Sequence, residues 1–166
     1  MEQDRDDLER SRDETRAAFA NRALIYAAMY EELSDELGPD RAAEVMKRAI
    51  YRRGVDVGRR YRPAAATGDL EEVGRIFCDG SPCAGELFEP GVDDLSEERT
   101  VLSMHACPLV DAWRAEGLQP DEIDALCAIA AAVDEGTFEG AGLELTFLER
   151  LGQPGGTRCL LEITLP

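Results

Sequence analysis

One stretch, Val101-Leu-Ser-Met-His-Ala-Cys-Pro-Leu-Val-Asp-Ala-Trp113, constrains the fold more than any other. Its hydrophobic period changes partway along. From Thr100 to Met104 a short apolar run with a polar residue at Ser103 suits a buried strand, whereas from Pro108 the residues Leu109, Ala112 and Trp113 fall at helical spacing. Proline is favoured in the first turn of a helix, where its missing N–H has no partner to lose. The corner therefore falls at Cys107, the expected N-cap, which faces the unpaired amides and positive end of the helix. A thiolate is stabilised there, and helix N-termini are among the settings that lower a cysteine pKa from about 8.5 towards ~3.5–7.5. His105, the single histidine, stands shortly before it, and Asp111, one turn on, falls on the same helix face. A cysteine at a strand–helix corner is equally at home as core filler, and both readings stand at this point.

Composition narrows the classes. A chain of 166 residues is long enough to fold around one core without staples. No stretch approaches the roughly 18 apolar residues that cross a membrane. The opening Met-Glu-Gln-Asp-Arg-Asp-Asp-Leu is charged and acidic, unlike a secretory signal, so a cytoplasmic location is the expectation. A formal charge of −17 argues against nucleic acid and anionic membrane, whose binding relies on Lys and Arg. An anionic small substrate would need a local basic cluster. The five cysteines, Cys78, Cys83, Cys107, Cys127 and Cys159, are an odd number, which favours reduced thiols over a disulfide framework.

Residues 1–16 are almost entirely charged and read as an extension, helical or disordered, before a single α+β domain over 17–166. Leu24, Ala28, Leu33 and Leu37, with Ala20, Ile25 and Met29 beside them, predict the apolar stripe of a long helix. Gly38-Pro39 ends it and opens a second helix, which carries Ala42, Val45, Met46, Ala49 and Ile50 inward and runs to about Arg60. Pro63–Gly68 reads as a connector, and Asp69 as the cap of a short helix through Phe77. Leu87-Phe88 begins an expected strand, and Pro90-Gly91 with the acidic run to Glu98 an expected loop. After the strand at 99–105 and the helix from Pro108, Pro120 opens another helix carrying Ile123, Leu126, Cys127, Ala130 and Val133. Gly136–Gly140 reads as a loop or short turn, and 143–148 with 158–165 as a closing hairpin. The class is α+β: an N-terminal helical hairpin packed on a small antiparallel sheet with further helices.

A cysteine nucleophile needs a lowered pKa or a base, and a group to orient that base. His105 is the candidate base, since alternate residues of an extended strand point to one side. Asp111, Asp134, Glu135 or Glu139 would orient the imidazole or activate water. Cys127 would line the same pocket as a second thiol, or bind a metal jointly with Cys107 and His105 in a soft site with one open position. No cofactor is otherwise implied. The Cys78–Cys83 pair has no second pair at comparable spacing to complete a structural zinc site. Arg52, Arg53, Arg59, Arg60 and Arg62 form the one concentrated basic patch; Arg52 and Arg53, with Thr137, are the candidate substrate-binding residues, against the plainer role of a solvated helix end. A glycine-rich phosphate loop, G-x-S-x-G and H-E-x-x-H are all missing, which sets aside nucleotide-dependent, serine-hydrolase and zincin chemistry.

Several segments together are similar to a known family. They are Asn21-Arg-Ala-Leu-Ile-Tyr26, Tyr30-Glu-Glu-Leu33, the block from Ala42 to Gly54, Cys107-Pro-Leu-Val, Leu126-Cys127, Val133-Asp134 and the late Gly-x-x-x-Cys-x-x-x-Ile over 155–163. The chain resembles the L-2-amino-thiazoline-4-carboxylic acid hydrolase family from about residue 20 onward. The resemblance implies hydrolytic opening of a thiazoline ring to an N- or S-carbamoyl cysteine. It maps the family's cysteine dependence onto Cys107 and Cys127, with Asp134 as the acid beside them. The Cys78–Cys83 loop is outside the family pattern. The competing class is a non-catalytic small-molecule or metal sensor, to which the late Gly-x-x-x-Cys adds a fainter similarity with vinyl-reductase-like ligand-binding domains. A homodimer through the long first helix is the third expectation.

Overall fold

The computed structural model describes residues 2–166, with side chains from residue 5. Two long helices lead, α1 (Glu2–Leu37) and α2 (Pro39–Gly58), followed by the shorter α3 (Arg62–Thr67) and α4 (Leu70–Asp79) and a 3-10 turn at Pro82–Gly85. Then come β1 (Pro90–Leu95), β2 (Arg99–Met104), α5 (Pro108–Ala115), α6 (Pro120–Ala130), α7 (Ala132–Glu139), β3 (Glu144–Glu149) and β4 (Cys159–Thr164). The four strands make one antiparallel sheet in the order β1-β2-β4-β3. The fold is α+β, as the order of elements in the sequence implied. No helix among the described residues is long and apolar enough to cross a membrane.

The charged N-terminal segment is helical from Glu2 and continuous with the rest of α1, and Arg12 pairs with Glu86 at 2.7 Å; Met1 lies outside the described residues. Pro39 sits in the first turn of α2 after Gly38, whose φ of +82° suits glycine. Asp69 caps α4 by accepting from the Glu72 amide at 2.9 Å.

Four local expectations are corrected. The 63–68 connector is the helix α3, opened by Pro63, run through three alanines and closed at Gly68 with φ +70°. The strand expected at Leu87-Phe88 begins instead at Pro90 and takes in part of the acidic run, because Pro90–Leu95 pairs with β2. The stretch from Gly136 to Glu139 is the second half of α7 rather than a loop, with Gly140 as its C-cap. Its glycines serve a close helix crossing: a Cβ on Gly136 would lie 2.1 Å from the Tyr51 carbonyl oxygen, and one on Gly54 2.2 Å from that of Val133. The last correction is the inward face of α1. Ala23 is fully buried, with Phe19, Tyr26, Ala27 and Tyr30 packed beside it, while Leu24, Ile25, Met29 and Leu37 are exposed. Apolar residues run around most of this helix, and the side bearing aromatics buries more area per residue. Ala23 also lets α5 come close enough for the Trp113 indole N–H to donate to its carbonyl oxygen at 2.8 Å.

The core lies between the sheet and the helices, around Trp113, Tyr61, Phe138, Leu102, Leu161 and Ile163. Two features of this packing place the site described next. The β2–β4 register sets Met104 opposite Cys159, and the α2–α7 crossing fixes the residues of α7 against the end of α2.

Candidate functional site

A cavity of about 260 Å³ opens where α5, α6 and α7 meet the sheet and the end of α2. Phe77, Phe88, Met104, Val110, Trp113 and Phe147 supply apolar wall. Its polar lining includes Cys107, Cys127, Cys159, Asp134 and Thr137, with Ser81, Tyr61, Arg22, Arg60 and Arg150.

Cys107 is the N-cap of α5, with extended backbone (φ −149°, ψ 109°) and Pro108 in the first helical turn. Burial pushes its thiol up to about 11; the amides of Val110 and Leu109 pull the other way, and Cys127 and Asp111 add to the rise. The helix-terminus effect expected from the sequence is thus present but outweighed, because a thiolate loses more in leaving water than a few amide dipoles return. Cys127, on α6, is also raised by burial, against the Gly152 amide and Arg150, which favour its thiolate. Gly152 leaves it room: a Cβ there would lie 2.5 Å from the Cys127 Cβ. Cys159 accepts a hydrogen bond from the Leu151 amide at 3.3 Å, and burial pushes it up to about 12. All five cysteines are free.

Asp134 lies one helical turn before Phe138 on α7 and lines the cavity. Burial, with Glu135 nearby, pushes its carboxyl up to about 7, and no hydrogen bond from the described residues pulls it back. A carboxyl that titrates near neutrality takes up and gives back protons where an enzyme works.

The other residues singled out in the sequence are placed as follows. Thr137 lines the cavity, but its hydroxyl is committed to backbone, 2.7 Å from the Val133 carbonyl oxygen and 3.3 Å from that of Gly54. His105 is exposed and outside the lining. Strand β2 ends at Met104, and the amides of His105 and Ala106 turn to the carbonyls of Glu89 and Phe88, so alternation does not carry through to Cys107. Asp111 is exposed, 3.9 Å from the Arg114 guanidinium. Arg52 and Arg53 are exposed on α2, away from the side where Gly54 and Gly58 meet α7, and it is Arg60 of that patch that reaches the cavity. Among the described residues no three His, Cys, Asp or Glu side chains are grouped to hold a metal ion. His105, Cys107 and Cys127 therefore do not form the alternative metal site, since the imidazole faces solvent and the thiols face the cavity.

Sequence reasoning passed over Arg150 and Cys159 as site residues. Cys159 had a signal in the late Gly-x-x-x-Cys segment. Arg150 is a single arginine after a strand and had none.

Nothing matches the chain among curated protein sequences. Solved structures similar to it include a trafficking protein particle complex subunit 3 from Naegleria fowleri, covalently bound to palmitic acid. That chain is 12% identical, with a TM-score of 0.51 over 90% of this chain and 96% of the other, a likeness of fold. The sequence profile described as L-2-amino-thiazoline-4-carboxylic acid hydrolase matches residues 18–162, and the chain belongs to that family.

Proposed function

We propose that the protein uses water to open a C–S or C–N bond of a small thiazoline-like ring carboxylate in the cavity that Cys107, Cys127 and Asp134 line. The observation that supports this most is that one cavity wall gathers three thiols and a carboxyl without a hydrogen-bond donor among the described residues, in a member of a hydrolase family named for such a substrate. The Asp134 carboxylate takes the proton of the Cys107 thiol, and the sulfur attacks the amidine carbon between the ring sulfur and nitrogen. The substrate enters as the amidinium, with the proton already on its ring nitrogen, and the C=N electron pair moves onto that nitrogen; the matching proton is released to solvent when water has added. The amides of Leu109 and Val110 face the Cys107 sulfur and favour the thiolate as it forms. The ring C–S bond then breaks, its sulfur taking the proton held by Asp134. Water adds to the same carbon, Cys107 leaves as the thiol, and an N-carbamoyl cysteine is released; breaking the C–N bond instead gives the S-carbamoyl product. Cys127 stands alongside as the second thiol.

The test is turnover of L-2-amino-thiazoline-4-carboxylate, with the product identified by mass spectrometry. Cys107→Ser is expected to lower kcat by at least about a thousandfold, and Asp134→Asn by about a hundredfold or more. Full turnover by Cys107→Ser would move the nucleophile to water, and a wild-type protein inert toward every thiazoline carboxylate would remove the hydrolase reading.

The second reading is binding without catalysis. Aromatic and aliphatic walls suit an apolar ligand, and the trafficking subunit of similar fold is one covalently bound to palmitic acid. Native mass spectrometry showing a co-purifying acyl chain, with no ring opening, would favour it. We propose a cytoplasmic setting for the activity and, on the net charge of −17, leave nucleic acid outside its partners. Exposed Leu24, Ile25 and Met29 support a homodimer through α1.

A further inference from the structure

One cation in the cavity wall has a donor left over. Arg150 directly follows β3, and Gln153 holds its backbone: the Arg150 amide donates to Gln153 Oε1 at 3.2 Å, and the Gln153 amide donates to the Arg150 carbonyl at 3.1 Å. Its Nη2 donates to Asp124 Oδ1 at 2.8 Å. Asp124 and Cys127 are one turn apart on α6, so this ion pair lays the guanidinium beside the Cys127 thiol, whose charged form it favours. Nη1 is buried and has no hydrogen-bond partner among the described residues. A guanidinium is always charged, and buried donors in folded proteins are almost always paired. Arg150 lines the cavity, and a turn of its guanidinium about the bond to Asp124 would bring this covered, unused donor to a ligand oxygen there.

We propose that Arg150 is the carboxylate anchor of this cavity, with Nη1 donating to one oxygen of a ring carboxylate while Asp124 holds the guanidinium by Nη2. The inference rests on the cavity being the site for such a substrate, and adds the residue that selects its charge. The remaining lining supports an anion. Arg22 and Arg60 are the other cations on the wall, and Asp134 is the one Asp or Glu among the lining residues. Arg22 and Arg60 are exposed and lie over aromatic rings, 4.3 Å from the Phe19 centroid and 5.2 Å from that of Tyr61. Arg150 is the one held by a carboxylate with a buried nitrogen still unused. In a chain of net charge −17 these arginines provide the local positive field that an anionic substrate requires.

The probe is thiazolidine-4-carboxylate, a ring carboxylate without a C=N bond to hydrolyse, compared with its methyl ester by calorimetry. The wild-type protein is expected to prefer the acid by about tenfold or more, and Arg150→Met to weaken acid binding about 10- to 100-fold while leaving the ester within about threefold. Unchanged ester binding reports an intact cavity, and Arg150→Lys should recover part of the acid binding. In turnover, Arg150→Met raises KM with kcat nearly unchanged, the mark of a contact made equally in ground and transition states. Acid binding that ignores Arg150→Met overturns the anchor, as does a wild-type protein that does not distinguish acid from ester. Acid binding dependent on Arg150 without ring opening of the thiazoline would instead retire the hydrolase reading and leave the anchor standing.

Discussion

Asp134 is the one acidic side chain in the cavity wall among the described residues, and two consequences follow from its proton affinity. Its folded pKa of about 7 lies above the ordinary value, so the folded state holds the proton more tightly than the unfolded chain. That contribution to stability is complete below the unfolded pKa and is lost as pH rises through about 7. The loss is at most about 4 kcal/mol, and Asp134→Asn removes it. Urea midpoints of wild-type protein should therefore fall between mildly acidic and mildly alkaline pH, and those of Asp134→Asn should fall less. A variant with the same slope as wild type would place the titrating group elsewhere. The proposed base also requires kcat/KM to rise through the same pH region in the free enzyme. The thiols behave differently. With Cys107 raised to about 11 and Cys159 to about 12, both should alkylate slowly near neutral pH in the native protein, more slowly than in urea-unfolded chains. Fast labelling of native Cys107 would mean that the helix terminus outweighs burial. Cys107 was legible in the sequence because Pro108 announces a helix start. The exposure of His105 was not, since it depends on where β2 stops pairing. Arg150 was not legible because its meaning lies in a partner on α6, distant in sequence.

The crossing of α2 and α7 is the element that puts Asp134 in the wall. Gly54 and Gly58 on α2 and Gly136 on α7 let the backbones touch, so substitution meets carbonyl oxygens rather than side chains that could swing aside, and Gly140, just past the end of α7, lies against Val55. Gly136→Ala is expected to cost about 3 kcal/mol or more, the upper end for overpacking, because neither backbone can yield alone. Gly142 gives the contrast: it has open space for a Cβ but a φ of +92°, so Gly142→Ala costs only the strain of about 1–2 kcal/mol. Chemical unfolding separates the two. In the fraction that folds, Gly136→Ala should also lose turnover by displacing α7, while Gly142→Ala keeps it. Equal costs would mean that the crossing relaxes easily. These glycines also explain why the second half of α7 was misread as a loop: the same residue type serves turns and close helix contacts, and only the second helix says which. The face of α1 failed for a related reason, since a helix with apolar residues on two sides does not say which side meets the core. The strand–helix corner and the closing hairpin were legible because each is set by neighbours in sequence.

At the scale of the whole molecule two surface properties oppose each other. Each copy carries a formal charge of −17, and the exposed side of α1 presents Leu24, Ile25 and Met29 among carboxylates that include Glu32 and Glu36. Pairing two copies through that side removes apolar surface from water, a gain of about 25 cal/mol per Å² that salt does not screen. It also brings like charges together, and that repulsion is screened, over about 10 Å at 0.1 M salt and about 3 Å at 1 M. Self-association through α1 should therefore strengthen with salt. Sedimentation is expected to show more dimer near 0.5 M than near 0.05 M sodium chloride, where the screening length is several-fold longer. Ile25→Glu and Met29→Glu should leave a monomer at both, with unfolding midpoints close to wild type because these side chains are exposed. A dimer that weakens with salt would have to be held by ion pairs on another surface. A single-chain mass at every salt concentration would leave the second face of α1 without a partner of its own kind.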